Sequence, residues 1–156
     1  MKKHSVFVIF LFFVLSVVSY AQKPQWVVGG KLGISSLDGN AGLLIGPMAE
    51  LKFNKNMAVG SEFSLNTQTG TPIEFPFYFK YYFDVPGSQI KPYANAGFGL
   101  WFYTGGPYFG IRFGGGANFP VAPKIYIPAE IQLEPVFASG TSVFVFTLTS
   151  GIRYEL

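Results

Sequence analysis

Residues 42–53 read GLLIGPMAELKF, and the alternation within them decides the fold. Leu43, Ile45, Pro47, Ala49, Leu51 and Phe53 share one parity, while Leu44, Gly46, Met48, Glu50 and Lys52 share the other. A period of two marks an extended strand, here with one greasy face and one partly charged face. A single strand of this kind fits many sheets. The same pattern returns about eight times along the chain, separated by short polar interruptions. That repetition predicts an all-β, eight-stranded antiparallel up-and-down transmembrane β-barrel, its oily face outward and its polar face filling the interior.

Working outward from 42–53, the first strand is expected over 26–34, with Trp26, Val28, Leu32 and Ile34 on one face and Lys31 on the other. Asp38-Gly39-Asn40 places a loop over 35–41, because these residues tolerate turn conformations. After the 54–56 turn, residues 57–66 set Met57, Val59, Phe63 and Leu65 against Glu62 and Ser64. Residues 73–83, IEFPFYFKYYF, are the strongest single case: Ile73, Phe75, Phe77, Phe79, Tyr81 and Phe83 face one way, Glu74, Tyr78, Lys80 and Tyr82 the other. In water such an aromatic face needs a second packing layer; in lipid it needs none. Further strands follow over 91–102, 108–119 and 125–134, and the last runs through Phe144, Phe146, Leu148, Ile152, Tyr154 and Leu156.

Charge placement tests the two faces independently of hydropathy. On these parities the inward set is Lys31, Glu50, Lys52, Glu62, Glu74, Lys80, Lys91, Arg112, Glu130, Glu134, Arg153 and Glu155. It holds every Glu in the chain, and the assigned lipid face holds no formal charge. Lys23, Asp38, Lys55, Asp84 and Lys124 fall at ends or connections. A soluble barrel that carries an apolar ligand would reverse the faces, but a cavity that narrow has no room for so many phenylalanines. Pro47, Pro76 and Pro128 interrupt expected strands and mark bulges or strand ends, since each removes a ladder donor.

Length and composition fit this reading. The chain has 156 residues, 18 of them Phe and 19 Gly, and no Cys, so disulfides, thiolate metal sites and cysteine lipidation are excluded. Lys2 and Lys3, an apolar run from Val6 to Val18 and Ser19-Tyr20-Ala21 make residues 1–21 a cleaved signal peptide, which leaves 22–156 as one barrel domain. The formal charge of +3 shrinks once that leader is removed: from Gln22 onward nine basic residues face eight acidic ones. No basic cluster supports nucleic-acid binding.

With these strands on the page, the chain resembles the OmpA/OmpX-like family of small bacterial outer-membrane barrels. The resemblance covers 26–156 and is architectural. Ile152, Tyr154 and Leu156 share the parity of that family's C-terminal assembly signal, read by the barrel-insertion machinery, although Leu156 stands where an aromatic residue is usual. The resemblance implies the outer membrane as location, with its lipids and the insertion machinery as partners, a monomer, and an unidentified protein partner as a further possibility. Family members are anchors, adhesins, defence factors, channels or enzymes, so the fold selects no activity. The family's lipid A deacylase relies on a His–Ser pair, and the sole histidine here, His4, leaves with the leader.

The inward charges are therefore expected to form an ion-pair and hydrogen-bond network, with no catalysis, no cofactor and no metal. Arg112, beside Gly110, Gly114 and Gly116, is expected to reach two carboxylates through space the glycines clear. The alternative makes Arg112, Lys80, Glu62 and Glu130 the lining of a narrow porin-like passage for ions or small solutes. Eight strands leave an interior just wide enough for side chains to fill, which favours a closed barrel. Trp26, Phe53, Tyr81, Phe83, Phe119 and Tyr154 fall at the end bearing both termini and are expected to form an interfacial aromatic girdle. The turns near 54–56, 84–90 and 120–124 would then be periplasmic. The loops near 35–41, 67–72, 103–107 and 135–142 would face outside, with Phe137 and Phe144 beside the last of them.

Overall fold

The computed structural model describes residues 24–37, 39–103, 105–138 and 141–156. The expected signal peptide, Lys23, Asp38 and Thr104 lie outside the described residues. The strands are β1 (Gln25–Leu37), β2 (Asn40–Lys52), β3 (Met57–Glu62), β4 (Ser64–Asn66), β5 (Ile73–Tyr82), β6 (Lys91–Tyr103), β7 (Gly106–Ala122), β8 (Ile125–Ala138) and β9 (Thr141–Glu155). β3 and β4 are two halves of one crossing, so the wall has eight crossings. Each pairs antiparallel with its neighbours in sequence, and β1 pairs with both β2 and β9, which closes the ring.

Prolines account for the gaps in this closed ladder. Between β3 and β4, the Phe63 N–H donates to the Pro47 carbonyl at 3.1 Å, but Pro47 has no N–H to return. On the opposite side, the register from Ser61↔Phe77 to Ser64↔Glu74 puts Pro76 across from Glu62, again without a donor. β2 itself runs through Pro47 unbroken against β1. Pro128 lies in the gap between the Tyr126↔Arg153 and Ala129↔Ser150 pairs, and its carbonyl accepts from the Ser150 hydroxyl at 2.8 Å. The β7–β8 register skips Ile111 and Arg112, opposite Glu134 and Pro135. The prolines interrupt pairing locally without ending a crossing.

Several strands run further than alternation indicated. Ser35↔Gly42, Ser36↔Ala41 and Leu37↔Asn40 are paired, so the expected 35–41 loop is a tight hairpin in which Gly39 takes φ +78°. In the same way Pro135↔Phe144 through Ala138↔Thr141 extend β8 and β9 into the expected 135–142 loop. β7 continues through Pro120 to Ala122 with a register shift, and Lys124 makes the following turn at φ 66°. Short hairpins let the ladder continue past the apolar band, and each added pair satisfies backbone groups that a loop would leave to water.

Burial follows parity. Phe77, Phe79, Ile111, Phe113, Ile131, Phe144 and their neighbours on the outer wall are exposed, while the residues between them are buried. On the outer wall Phe77, Phe98 and Phe109 stack in a diagonal track, with ring centroids 5.4 and 5.9 Å apart. Among the described residues the exposed charges are Lys55, Asp84 and Lys124, all between strands. The core is therefore the bore of the barrel, and much of it is polar. Buried polar groups persist only where they find partners.

Candidate functional site

The interior is built in tiers. Nearest the termini, Lys52 on β2 forms an ion pair with Glu155 on β9, and its ammonium lies 5.1 Å from the centre of the Tyr82 ring. The same carboxylate accepts from Gln25 Nε2 and the Tyr126 hydroxyl, each at 3.4 Å. Lys91, the first residue of β6, is half-buried at this rim; its ammonium lies 5.6 Å over the Tyr126 ring and makes no ion pair among the described residues.

The middle tier is the densest. Glu50 accepts from the hydroxyls of Tyr78 at 2.9 Å and Tyr82 at 2.8 Å, and it pairs with Lys80 and, at 3.5 Å, with Arg153. Glu130 closes the circuit from the facing wall, 3.6 Å from Lys80 and 3.4 Å from Arg153. It also accepts from the Tyr93 hydroxyl at 2.7 Å, from Asn95 Nδ2 at 3.4 Å and from Gln132 Nε2. Arg153 spends a further N–H on Asn118 Oδ1 at 3.2 Å, and its guanidinium lies 5.2 Å from the Tyr93 ring centre. These contacts come from β2, β5, β6, β7, β8 and β9, so the network spans the bore. Alternation placed every one of these side chains on the inward face.

Above it, Arg112 reaches Glu74 at 2.7 Å and Glu62 at 3.1 Å, and Glu62 also pairs with Lys31. Arg112 thus does join two carboxylates. The space left by Gly110 and Gly99, however, belongs to Glu134: a Cβ at either position would collide with the Glu134 carboxylate. That carboxylate accepts from Trp101 Nε1 at 2.7 Å. Both tiers leave polar atoms unpartnered among the described residues, Arg153 Nε and Asn95 Oδ1 in the middle one and more in this one. Glu62 Oε1, Arg112 Nε, Ser64 Oγ and Asn66 Oδ1 are buried without a hydrogen-bond partner among the described residues.

The outermost tier changes character: alternation turns Trp101 and Tyr108 inward, but sequence reasoning missed the apolar cluster that they join. Trp101, Val136 and Val145 are buried together, with Leu37 and Tyr108 packed against them. The residues continue the inward parity of β1, β6, β7, β8 and β9 beyond the charged positions. A cavity of about 330 Å³ opens here, lined by Leu37, Trp101, Tyr103, Tyr108, Val136 and Val143, with Asn40, Gln68, Thr69 and Pro72 along one side. The available signal was the doubly apolar sequence at 143–146, VFVF, where neither face is polar.

Gln68 falls in the expected 67–72 loop, and it is buried. Its Nε2 donates to the carbonyls of Ser35 at 2.8 Å and Asn40 at 2.9 Å. Thr67 and Leu43 exchange bonds that anchor the loop: Thr67 N to Leu43 O, and Leu43 N to Thr67 Oγ1, both at 2.9 Å. Gly70, at φ +84°, sits against the Tyr103 ring, where a Cβ would strike Cε2. This is a folded rim.

Of the aromatics expected at the terminus end, Trp26, Tyr81, Phe83, Phe119 and Tyr154 are exposed on the outer wall, with Tyr81 and Phe83 edge to face at 5.2 Å. Phe53 is a correction: it is only 7% exposed. β2 ends at Lys52, and the Phe53 N–H bonds back to the Met57 carbonyl across a turn, so strand parity no longer sets its direction. Phe137 and Phe144 lie on strands, exposed on the outer wall. Among the described residues, no group of three or more His, Cys, Asp or Glu side chains is placed to hold a metal ion.

No protein-family model and no curated protein sequence matches the chain. Solved structures do match it in fold. Neisserial surface protein A (NspA) superposes with a TM-score of 0.65 at 15% identity, over 85% of this chain and 97% of that one. A de novo designed transmembrane β-barrel gives 0.63 at 16% identity, over 87% and 99%. The N-terminal β-barrel domain of Pseudomonas aeruginosa OprF gives 0.61 at 12% identity, over 85% and 100%. At these identities the likeness is one of fold, and it holds equally for a natural surface protein and for a designed barrel.

Proposed function

We propose that this chain, which has the fold of the small bacterial outer-membrane barrels, is exported by residues 1–21 and acts in that membrane as a compact structural or interaction element, without catalysis and without an open pore. The observation that carries this reading is the middle tier. Lys80, Glu50, Arg153 and Glu130 link opposite walls through contacts of 3.6 Å or less, all of them buried. An eight-stranded bore filled in this way has no continuous path for a hydrated ion. Trp26, Tyr81, Phe83, Phe119 and Tyr154 serve as the interfacial girdle of the terminus end, which faces the periplasm. Outer-membrane lipids and the insertion machinery are its partners, and it works as a monomer. The short outer hairpins offer little surface to a protein partner.

A narrow passive channel is the second reading. The unpartnered polar atoms around Arg112 favour it, since buried polar groups without protein partners are where water enters. Single-channel recording in planar bilayers separates the two. The wild-type barrel is expected to be silent, and Arg112→Ala to stay silent because the tier below still blocks the bore. Reproducible wild-type conductance that changes with Arg112→Ala would make transport the function. Retention in membranes through alkaline and urea washes checks integral insertion, and release by those washes would remove both readings.

A further inference from the structure

The barrel is closed in its middle but hollow at the end away from the termini. There the inward residues are Leu37, Trp101, Tyr103, Tyr108, Val136 and Val143, around a cavity of about 330 Å³. The cup has a floor, because Trp101 is held by its Nε1–H to Glu134, and Arg112 with Glu74 lies below. It has a fixed side wall, because Gln68 is bound to the carbonyls of Ser35 and Asn40. Among the described residues no formal charge lines it. We propose that this cup is a binding site for a small, uncharged, ring-containing molecule that enters from the outer side of the membrane.

Three observations select that chemistry. The first is size: an apolar cavity of ~150 Å³ holds one benzene ring, so the cup holds a fused two-ring molecule. The second is the lining, in which three aromatic side chains and branched aliphatics offer ring faces, ring edges and methyl groups. The third is the lack of charge among the described lining residues, which leaves a carboxylate or ammonium on the ligand without compensation for lost hydration. A charge-filled bore has no structural need for an apolar cup above it. The polar side chains that line it, Asn40, Gln68 and Thr69, carry no charge.

The test uses the mature barrel in lipid nanodiscs with ¹³C-methyl valine, titrated with indole and with indole-3-acetate. Indole is expected to give saturable shifts at Val136, Val143 and Val145, while Val28 and Val59 on the outer wall drift only linearly as indole enters the lipid. Indole-3-acetate is expected to bind at least tenfold more weakly. Val143→Trp and, separately, Val136→Phe fill the cup and are expected to weaken indole at least tenfold, and the barrel resonances report that each variant is folded. Shifts that never saturate, saturation on the outer wall alone, or unchanged affinity in both folded variants would overturn the proposal.

Discussion

The middle and the mouth of the barrel line the same bore with opposite chemistries. In the middle, carboxylates, cations and tyrosine hydroxyls pair with one another, and Glu50, Lys80, Glu130 and Arg153 each have two or more partners. At the mouth, apolar side chains meet imperfectly and leave space. The difference teaches what each chemistry can do in a narrow tube. Flexible charged side chains reach across the axis and adjust until paired, whereas the short valines of β8 and β9, neighbours on one side of the bore, cannot reach far enough to fill it. Burying the charges is itself costly, so the middle gains little net stability from them, but it depends heavily on each partner being present.

The sharpest way to break that comparison is to remove one member of the middle tier. Arg153→Ala leaves Glu50 and Glu130 each short of a cation and frees Asn118. Unfolding in urea from lipid vesicles is expected to show a loss of about 3–5 kcal/mol, the cost of stranding a buried charge. Replacing Glu50 and Lys80 together with Leu and Met is expected to cost less, because Arg153 and Glu130 still balance each other and the loss is confined to the acceptor of the Tyr78 and Tyr82 hydroxyls. If Arg153→Ala costs less than about 1 kcal/mol, as in an exposed pair, the middle is hydrated and the closed bore is wrong.

That dependence also explains what was legible in the sequence. The middle tier could be read residue by residue, because a charge in a membrane strand has only one tolerable direction and Glu50, Lys80 and Arg153 therefore declare their parity. Which charge meets which could not be read, since pairing across the bore depends on stagger between strands: Lys31 pairs with Glu62 and Lys52 with Glu155. The mouth was only partly legible, for the complementary reason. Val145 falls between outward Phe144 and Phe146 in the expected last strand, but Leu37 and Val136 fall in expected loops, and only continuation of the ladder turns them inward. Phe53 failed because the chain already turns there, its N–H bonding back to the Met57 carbonyl. Gln68 gave no signal, its burial being set by carbonyls that the folded hairpin brings to it.

Truncations at the mouth are expected to have smaller effects and to map its space. Val145 is closely packed, at 1% exposure, whereas Val143 faces the cavity. Val145→Ala should cost about 2 kcal/mol, two carbons of transfer plus a new void. Val143→Ala should cost less than about 1 kcal/mol, because the space beside it is already open. The same vesicle unfolding experiment measures both. Equal losses would mean that the cup is filled by its own walls.

The smallest expected effect comes from the same ion-pair chemistry placed in water. Lys55 and Asp84 meet at 2.7 Å between two turns, with side chains 78% and 65% exposed. The hydrogen bond from Lys55 holds the Asp84 carboxyl below its ordinary value of 3.8, and the same bond raises the Lys55 ammonium above 10.5. The signs follow by linkage. The Asp84 contribution is present above its ordinary value and is lost as pH falls through the lowered one. The Lys55 contribution is present below 10.5 and is lost as pH rises through the raised one. Between those limits the pair is intact and stability should not change with pH on its account. Exposure and salt screening leave such a pair with almost no net effect. Asp84→Asn at neutral pH and physiological salt is therefore expected to leave the unfolding midpoint at the wild-type value, where Arg153→Ala displaces it strongly. A displacement of similar size in both variants would show that burial is not what separates these two sites, and the contrast between plug and surface would fail with it.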